Sequence, residues 1–198
     1  MISFCISTLN NAEETINSIK QNVSNYEIII DNSTDKLTVK KNRMIQNAKN
    51  DIVVIMHDYL IIKNNWYNEL LKIQNWDVAM CNILNKDNTR YRDWCIWDDP
   101  NFGIPWYQHE PWCPKGRLNW GMPKIAPYNY NKTQYMYISG AFWVAKRNFM
   151  IENPLDESLD WGQAEDVEWS IRVRNKWNYK FFNGYVQLIK QKDRILPL

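Results

Sequence analysis

The first 60 residues alternate short apolar runs with amphipathic segments, and this alternation restricts the possible folds more than any other feature. Residues 2–7, 26–30 and 51–56 are continuous apolar runs of strand length, rich in Ile and Val. The segment after the first run carries apolar residues at i, i+3 and i+7, which indicates a helix. Strands without a polar face that alternate with helices are typical of a parallel sheet covered on both sides. We therefore predict an α/β fold.

The rest of the chain continues this pattern with one long interruption. We predict, in order, a helix at 66–73, a strand at 78–83, a strand at 137–146 broken at Ser139 and Gly140, a helix that begins at Glu165, and strands at 180–182 and 186–189. Residues 93–137 are crowded with Trp, Tyr and Pro. A stretch of this length is too long for an ordinary connector, so we interpret it as a functional insertion.

Charge and hydropathy restrict the partners of the chain. The 24 Lys and Arg residues nearly balance the 22 Asp and Glu residues, and the basic residues are scattered. Such a chain lacks the basic surface that nucleic-acid binding needs, so we expect no nucleic-acid partner. No segment has the roughly 20 apolar residues of a membrane span, and the first residues lack the basic start of a secretory signal. We expect a soluble, cytoplasmic protein with no membrane span.

Polar side chains follow the first three predicted strands: the sequences are STLN at residues 7–10, DNS at 31–33 and HDY at 57–59. Ligands of such sheets bind at the carboxyl ends of the strands, so these groups should converge on one edge. Asp58 is placed to hold a divalent cation against a phosphate, or else it caps a turn. His57 is either a second metal ligand or a side chain exposed at the strand end. Asp31 is either a ligand-binding residue or the first residue of an Asx-turn.

Two adjacent carboxylates, Glu165 and Asp166, open the predicted helix in the sequence DWGQAEDVEW. Acidic residues in a first turn complement the positive end of the helix macrodipole, and this explanation requires no chemistry. A catalytic role depends on what the rest of the chain places in front of them.

Four separated motifs, taken in order, resemble nucleotide-sugar glycosyltransferases of the GT-A fold, nearest to the large family 2 group. FCISTLNNAEETINSIK resembles the first strand and helix of that family, and IIIDNSTDK resembles its DDGSTD turn. KKNRMIQNAKNDIVVIMHDYLII resembles the RNxGxxxAxGxxxxFLDDDD block, and SGAFWVAKR with WGQAEDVEWSIRVR resembles the acceptor-side ED segment. The resemblance implies a mostly parallel central sheet flanked by helices. With 198 residues and no composition shift or Gly/Ser-rich linker, the chain suits one domain. The resemblance divides this domain into a nucleotide-binding half at 1–92 and an acceptor-side half at 93–198 that contains the aromatic insertion.

The resemblance implies roles for the residues that would bind the sugar donor. Ser7, Thr8 and Asn10 would lie near the nucleoside, and Asp31 would accept a hydrogen bond from a uracil ring, which favours a UDP-sugar. Asp58 matches the central acid of the DXD-like motif, so Mn²⁺ or Mg²⁺ would be the cofactor, with His57 as a second ligand. The flanking positions are His57 and Tyr59 where the family has acids, and no His follows His109 to complete the site.

The resemblance also implies roles on the acceptor side, where a glycan or another hydroxyl compound would bind. Asp166 would be the general base that deprotonates the attacking hydroxyl of an inverting enzyme, and Glu165 would orient that hydroxyl. Lys192 and Arg194 would stabilise the departing diphosphate. The remaining expected acceptor contacts are aromatic side chains and one glycine that lets the backbone approach: Trp161, Gly162, Trp106 and Trp112. Packing of the aromatic rings into a small core is the alternative for them.

Three alternatives stay open at this stage. EDVEWSIRVRNKW also resembles the GGENxExSxRxW segment of retaining enzymes, in which no side-chain base is expected, although we favour inversion. The incomplete DXD motif and the many Trp residues are compatible with a non-catalytic carbohydrate-binding module on a degenerate transferase scaffold. A nucleotidyltransferase would need a Gly-rich loop with a basic residue after the first strand, and STLNNAEE contains none.

Overall fold

The computed structural model describes residues 1–96 and 128–190, together with the backbone of 124–125. The strands are β1 (Ile2–Ser7), β2 (Tyr26–Asp31), β3 (Ile52–His57), β4 (Leu60–Ile62), β5 (Val78–Leu84), β6 (Cys95–Ile96), β7 (Lys124–Ile125), β8 (Met136–Tyr137), β9 (Phe142–Lys146) and β10 (Tyr179–Leu188). The helices are α1 (Glu13–Asn22), α2 (Leu37–Asn47), α3 (Trp66–Lys72), α4 (Arg147–Glu152) and α5 (Glu165–Val173), and a 3-10 helix spans Tyr130–Tyr135.

The main sheet has seven strands in the order β2-β1-β3-β9-β5-β10-β4. Strands β2, β1 and β3 pair in parallel, β9 lies antiparallel between β3 and β5, and β10 pairs in parallel with β5. Five of the seven strands therefore run in one direction, while β9 and β4 oppose them. The predicted α/β fold with a mostly parallel central sheet is confirmed. A second sheet, of order β7-β6-β8, is built from residues in and next to the aromatic stretch.

Two strand predictions are wrong in detail. The strand predicted at 137–146 divides into β8 and β9, which belong to different sheets and are joined by a turn at Gly140. The two strands predicted at 180–182 and 186–189 form the single strand β10, whose pairing with β5 shifts register between Phe181 and Tyr185. Helix α4 and the short strand β4 were not predicted.

The core lies on both faces of the central strands. Every residue of β1 is buried, and so is all of β3 except Ile52, which is the reason that their sequences carry no alternating polar face. The largest fully buried aromatic side chains come from helices and strands of both halves of the chain: Trp66, Trp143, Trp169, Phe4 and Phe142. Just before α1, Asn11 Oδ1 accepts a hydrogen bond from the backbone N–H of Glu13, the first residue of the helix, at 2.8 Å.

Trp94 shows what the described part of the aromatic stretch does. Its side chain is fully buried, with its ring edge-on to four other rings: Tyr128, Tyr130, Tyr179 and Phe181. Trp94, one of the aromatic residues of the stretch that could have stacked on a sugar, therefore packs into a small core instead. Trp106 and Trp112 lie outside the described residues. No helix within 1–96 or 128–190 is long and apolar enough to cross a membrane.

Candidate active site

The carboxyl ends of the first three strands lie side by side, as the sequence predicts. In the sheet register, Ser7 pairs with Asp31 on one side and with His57 on the other. The β8–β9 turn adds a fourth segment to this edge, because the His57 N–H donates to the Ala141 carbonyl at 3.1 Å. Polar groups from distant parts of the sequence therefore meet at one edge of the sheet, which is where parallel sheets bind ligands.

Thr8 connects the first strand to the predicted metal residue. Its hydroxyl donates to Asp58 Oδ2 at 2.5 Å and accepts from the Asn10 N–H at 2.9 Å. Lys40 from α2 donates to the carbonyls of Thr8 and Ser33 and so fixes the loops after β1 and β2 relative to each other. The Ser7 hydroxyl is buried and has no hydrogen-bond partner within the described residues. This side of the edge is polar, and hydrogen bonds join its loops.

Asp31 is fully engaged by its neighbours. Its Oδ1 accepts from the backbone N–H and the hydroxyl of Ser33, which is the predicted Asx-turn geometry. Its Oδ2 accepts from Nε and Nη2 of Arg43 at 2.8 and 2.6 Å. Burial raises the pKa of Asp31, but the hydrogen bonds from Ser33 and Arg43 outweigh burial and lower it. Because a carboxylate offers about four acceptor sites, a uracil N–H would have to replace one of these hydrogen bonds.

Asp58 lies in the two-residue turn between β3 and β4. Thr15 of α1 anchors this turn by donating to the carbonyls of Asp58 and Leu60. Asp58 Oδ1 makes no hydrogen bond within the described part of the chain, so one carboxylate oxygen remains available. His57 is buried and stacks on Tyr59, with ring centroids 5.0 Å apart. The alternative that His57 is exposed at the strand end is therefore wrong.

The residues at this edge fit a divalent cation only as a partial site that a substrate phosphate and waters would complete. No group of three or more His, Cys, Asp or Glu side chains in residues 1–96 and 128–190 forms a complete metal cage. Mg²⁺ is commonly held by one or two carboxylates together with substrate phosphates and waters. Asp58, with His57 as the second candidate, matches such a partial site.

Glu165 is held by a buried lysine that the sequence analysis missed. Lys41 of α2 is fully buried, and its Nζ lies 3.3 Å from Glu165 Oε1 and 3.1 Å from the Gly140 carbonyl. The same ammonium lies 4.8 Å from the centroid of the Trp143 ring. The side chain of a helical lysine usually reaches solvent. The sequence around Lys41 therefore did not indicate that this lysine pairs with Glu165.

Asp166 is held by the β8–β9 turn. Its Oδ2 accepts from the Gly140 N–H at 2.6 Å, and its Oδ1 accepts from the Val167 N–H at 2.9 Å. Burial and the negative charge of Glu165 raise the pKa of Asp166 to about 6, against the opposing effects of Lys41, the Gly140 N–H and Arg92. A carboxylate with a pKa near neutrality suits proton transfer at physiological pH.

Gly140 allows this close approach of turn and helix. A Cβ on Gly140 would lie 2.9 Å from Asp166 Oδ2 and 3.1 Å from Glu165 Oε1. Any side chain at this position would therefore displace the carboxylates. The sequence predicted a break in the strand at Ser139 and Gly140, but it did not indicate that Gly140 contacts the carboxylates of α5.

The predicted acceptor residues are described only in part. Trp161 has an exposed fraction of 67%, and Gly162 has a φ of +81°, a conformation that favours glycine. Asp160, next to Trp161, accepts from the Leu37 N–H at the start of α2 and so anchors this loop. Trp106, Trp112, Lys192 and Arg194 lie outside the described residues.

Comparisons with known proteins bear on the fold. No protein-family profile and no curated protein matches the sequence. Among solved structures, the chain is similar to the glycosyltransferase GalNAc-T7 in complex with UDP, GalNAc and Mn²⁺, with a TM-score of 0.64 and 13% identity over 99% of this chain and 45% of that one. It is similar to residues 1–349 of the Staphylococcus aureus glycosyltransferase TarS, with a TM-score of 0.56 and 13% identity over 98% of this chain and 59% of that one. In complex with UDP, TarS gives a TM-score of 0.57 and 14% identity over 94% and 60% of the two chains. The chain spans about half the length of these structures, and it has the GT-A fold of glycosyltransferases.

Proposed function

We propose that the protein is a glycosyltransferase that moves a sugar from a nucleotide diphosphate, preferentially a UDP-sugar, to a hydroxyl of a glycan or another acceptor. The observation that carries this proposal is the pair of carboxylates at the entrance of α5, where Asp166 has a raised pKa and lies at the same sheet edge as Asp58. The GT-A fold, which GalNAc-T7 and TarS share, supports the same conclusion. We assign the chain to a family 2-like enzyme, with nucleotide contacts in residues 1–92 and acceptor contacts in 93–198.

On the side of the sugar donor, the segment from Ser7 to Asn10 and the turn that begins at Asp31 form the proposed nucleotide site. The unpartnered buried hydroxyl of Ser7 supports a polar ligand there. The Asp31–Arg43 pair supports a nucleoside site if the base replaces one of the existing hydrogen bonds. Lys192 and Arg194 remain proposed contacts of the diphosphate.

In the proposed inverting reaction, the acceptor hydroxyl oxygen attacks the anomeric carbon of the sugar donor. The proton of that hydroxyl passes to Asp166, the new glycosidic bond forms, and the bond between the anomeric carbon and the diphosphate oxygen breaks with its electron pair. Glu165, fixed by Lys41, orients the acceptor by hydrogen bonding. Trp161 and Gly162 would contact the acceptor sugar face, as would Trp106 and Trp112.

A divalent cation is part of the proposal. Asp58 would hold it, with His57 as the second candidate ligand, and Mn²⁺ or Mg²⁺ so bound would neutralise charge on the departing diphosphate. Thr8 donates to Asp58 Oδ2 and thereby orients the carboxylate, leaving Oδ1 for the metal.

Calorimetric titration tests this function directly. UDP, GDP, CDP and dTDP are each titrated with Mn²⁺ and with a chelator, and we expect selective, metal-strengthened binding of UDP that Asp58→Ala weakens. If UDP affinity is the same with metal, with chelator and in the variant, the metal role of Asp58 is wrong. Glycan binding without binding of any nucleotide diphosphate would instead support the carbohydrate-binding scaffold.

The role of Asp166 is tested by a pair of variants on the same helix. Asp166→Asn should abolish transfer and leave UDP affinity unchanged, because a base acts on the acceptor side only. Glu168→Gln is the matched control, since Glu168 lies in the same helical turn but pairs with Arg172. Full transfer activity in Asp166→Asn would reject the base assignment and favour retention of configuration.

A further inference from the structure

Arg92 has an unusual backbone conformation for a residue other than glycine. Its φ is +46°, in the left-handed region that non-glycine residues rarely occupy. Its neighbours are firmly held, because the Tyr91 N–H donates to the Ile83 carbonyl at 2.7 Å and Asp93 is buried and paired with Arg90. Such strain persists where the surroundings impose it, and it concentrates at functional sites.

The guanidinium of Arg92 also lacks the partners that a half-buried cation normally has. Its Nε is buried without a hydrogen-bond partner, and within the described part of the chain the side chain makes no ion pair. Its nearest aromatic contact is the Tyr91 ring, whose centroid lies 5.8 Å from the guanidinium carbon. Burying an unpaired cation costs free energy, so a missing anionic partner is the simplest explanation.

Arg92 lies close to both groups of acidic residues at the sheet edge. Its positive charge opposes the rise in the pKa of Asp166. Tyr59 is within electrostatic range of Arg92, Asp58 and Asp166 together. Cys95, three residues after Arg92, pairs with Tyr137 of β8, the strand that leads into the Gly140 turn beside Asp166. Arg92 therefore lies near the sheet edge that carries Asp58 and Asp166, and we call the space in front of this edge the cleft.

The other described cations around this cleft are already engaged. Lys40 donates to two backbone carbonyls, Lys41 pairs with Glu165, and Arg43 pairs with Asp31 and Asp35. Arg92 is the exception among these four. It is the cation whose donors remain for a ligand.

We propose that the Arg92 guanidinium binds an anionic oxygen, of a phosphate or a carboxylate, belonging to a substrate in the cleft between Asp58 and Asp166. This inference rests on the proposed function in assuming that this cleft binds substrate. The anion belongs either to the diphosphate of the sugar donor or to an acidic group of the acceptor. In both cases the planar guanidinium can form two parallel hydrogen bonds with it.

The test replaces Arg92 by residues that keep the backbone conformation or the charge. Arg92→Asn removes the guanidinium and tolerates a positive φ, while Arg92→Lys retains the charge without the planar donors. Arg172→Gln is the control, because Arg172 pairs with Glu168 on α5, outside the cleft. The probes are uridine, UMP, UDP, pyrophosphate, inorganic phosphate and D-glucuronate. Their affinities are measured by calorimetry, or by NMR where binding is weak. Inorganic phosphate and D-glucuronate are also titrated in the presence of saturating UDP.

We expect Arg92→Asn to lower the affinity for at least one anionic probe by roughly 10-fold or more, because a charge-assisted hydrogen bond is lost. The affinity for uridine should not change. A loss of affinity for UDP and pyrophosphate identifies the sugar donor as the source of the anion. A loss of affinity only for phosphate or glucuronate, measured with UDP bound, identifies an acidic acceptor as its source. The melting temperature of Arg92→Asn should change little, because within the described residues the guanidinium forms no hydrogen bond or ion pair whose loss would destabilise the fold.

Affinities within about twofold of wild type for every anion, in a variant that still binds UDP, would overturn the role of Arg92 and leave the proposed function intact. A lowered melting temperature with unchanged affinities would likewise assign the guanidinium a structural role. A wild-type protein that binds none of the probes would refute both proposals.

Discussion

The contact between Gly140 and the two carboxylates of α5 makes a single methyl group a precise probe of the site. In Gly140→Ala the new Cβ would lie 2.9 Å from Asp166 Oδ2 and 3.1 Å from Glu165 Oε1. The Asp166 carboxylate must then withdraw by about 0.5 Å to regain ordinary van der Waals contact. It must also lengthen its 2.6 Å hydrogen bond from the Gly140 N–H.

This displacement should lower the turnover number and little else. A misplacement of about 1 Å can cost on the order of 100-fold in rate, so we expect kcat to fall by about 10- to 100-fold with the sugar donor and acceptor that the wild type uses. The φ of Gly140 lies outside the left-handed region, so alanine strains no backbone angle and the melting temperature should change little. UDP affinity should stay the same, because Thr8 and Asp58 are not touched.

Gly184→Ala is the matched control for crowding. Its Cβ would lie 2.8 Å from Phe182 Cε2 and 3.2 Å from Trp66 Cδ1, in the core and away from the carboxylates. This variant should lose stability and keep its kcat. A Gly140→Ala protein whose kcat is within twofold of wild type would show that the carboxylate positions do not control the reaction, and would refute the reasoning.

Three further predictions concern charge at the same cluster. Transfer activity should rise with pH through about 6 as Asp166 ionises, and Glu165→Gln should move this transition to lower pH, because a neighbouring negative charge is removed. A pH–rate profile unchanged by Glu165→Gln would contradict this assignment. The raised pKa of Asp166 means that the folded state holds this proton more tightly, so stability should fall from about pH 4 to about pH 6, a slope that thermal unfolding of Asp166→Asn should lack. Lys41→Met should cost about 3 to 5 kcal/mol in denaturant unfolding, since Glu165 is left buried and unpaired. The double variant Lys41→Met/Glu165→Leu should recover most of that loss, and no recovery would contradict the ion-pair explanation.

The sequence was sufficient for the elements that depend on local periodicity. The first three strands and the two helices between them follow from uninterrupted apolar runs and from apolar residues at helical spacing. The meeting of Ser7, Asp31 and His57 at one edge follows as well, because parallel strands bring their carboxyl ends together.

The remaining features depend on long-range packing. The direction of β9 could not be predicted, because a buried strand has the same apolar sequence whether it runs parallel or antiparallel. The Lys41–Glu165 pair joins residues 124 positions apart, and no local pattern encodes that distance. For Arg92, the strained backbone and the missing partners are visible only in three dimensions.

Helix α2 has a consequence for attempts to redesign the proposed site. Two of its residues, only two positions apart, bind opposite sides of the cleft: Arg43 holds Asp31, and Lys41 holds Glu165. Because both side chains come from one helix, a substitution that shifts α2 to alter the proposed nucleotide contact will also shift Lys41 and the carboxylate that it holds. Changes of nucleotide preference are therefore better introduced in the loop at Ser33 than in the helix. Libraries that randomise α2 will mix altered specificity with lost turnover.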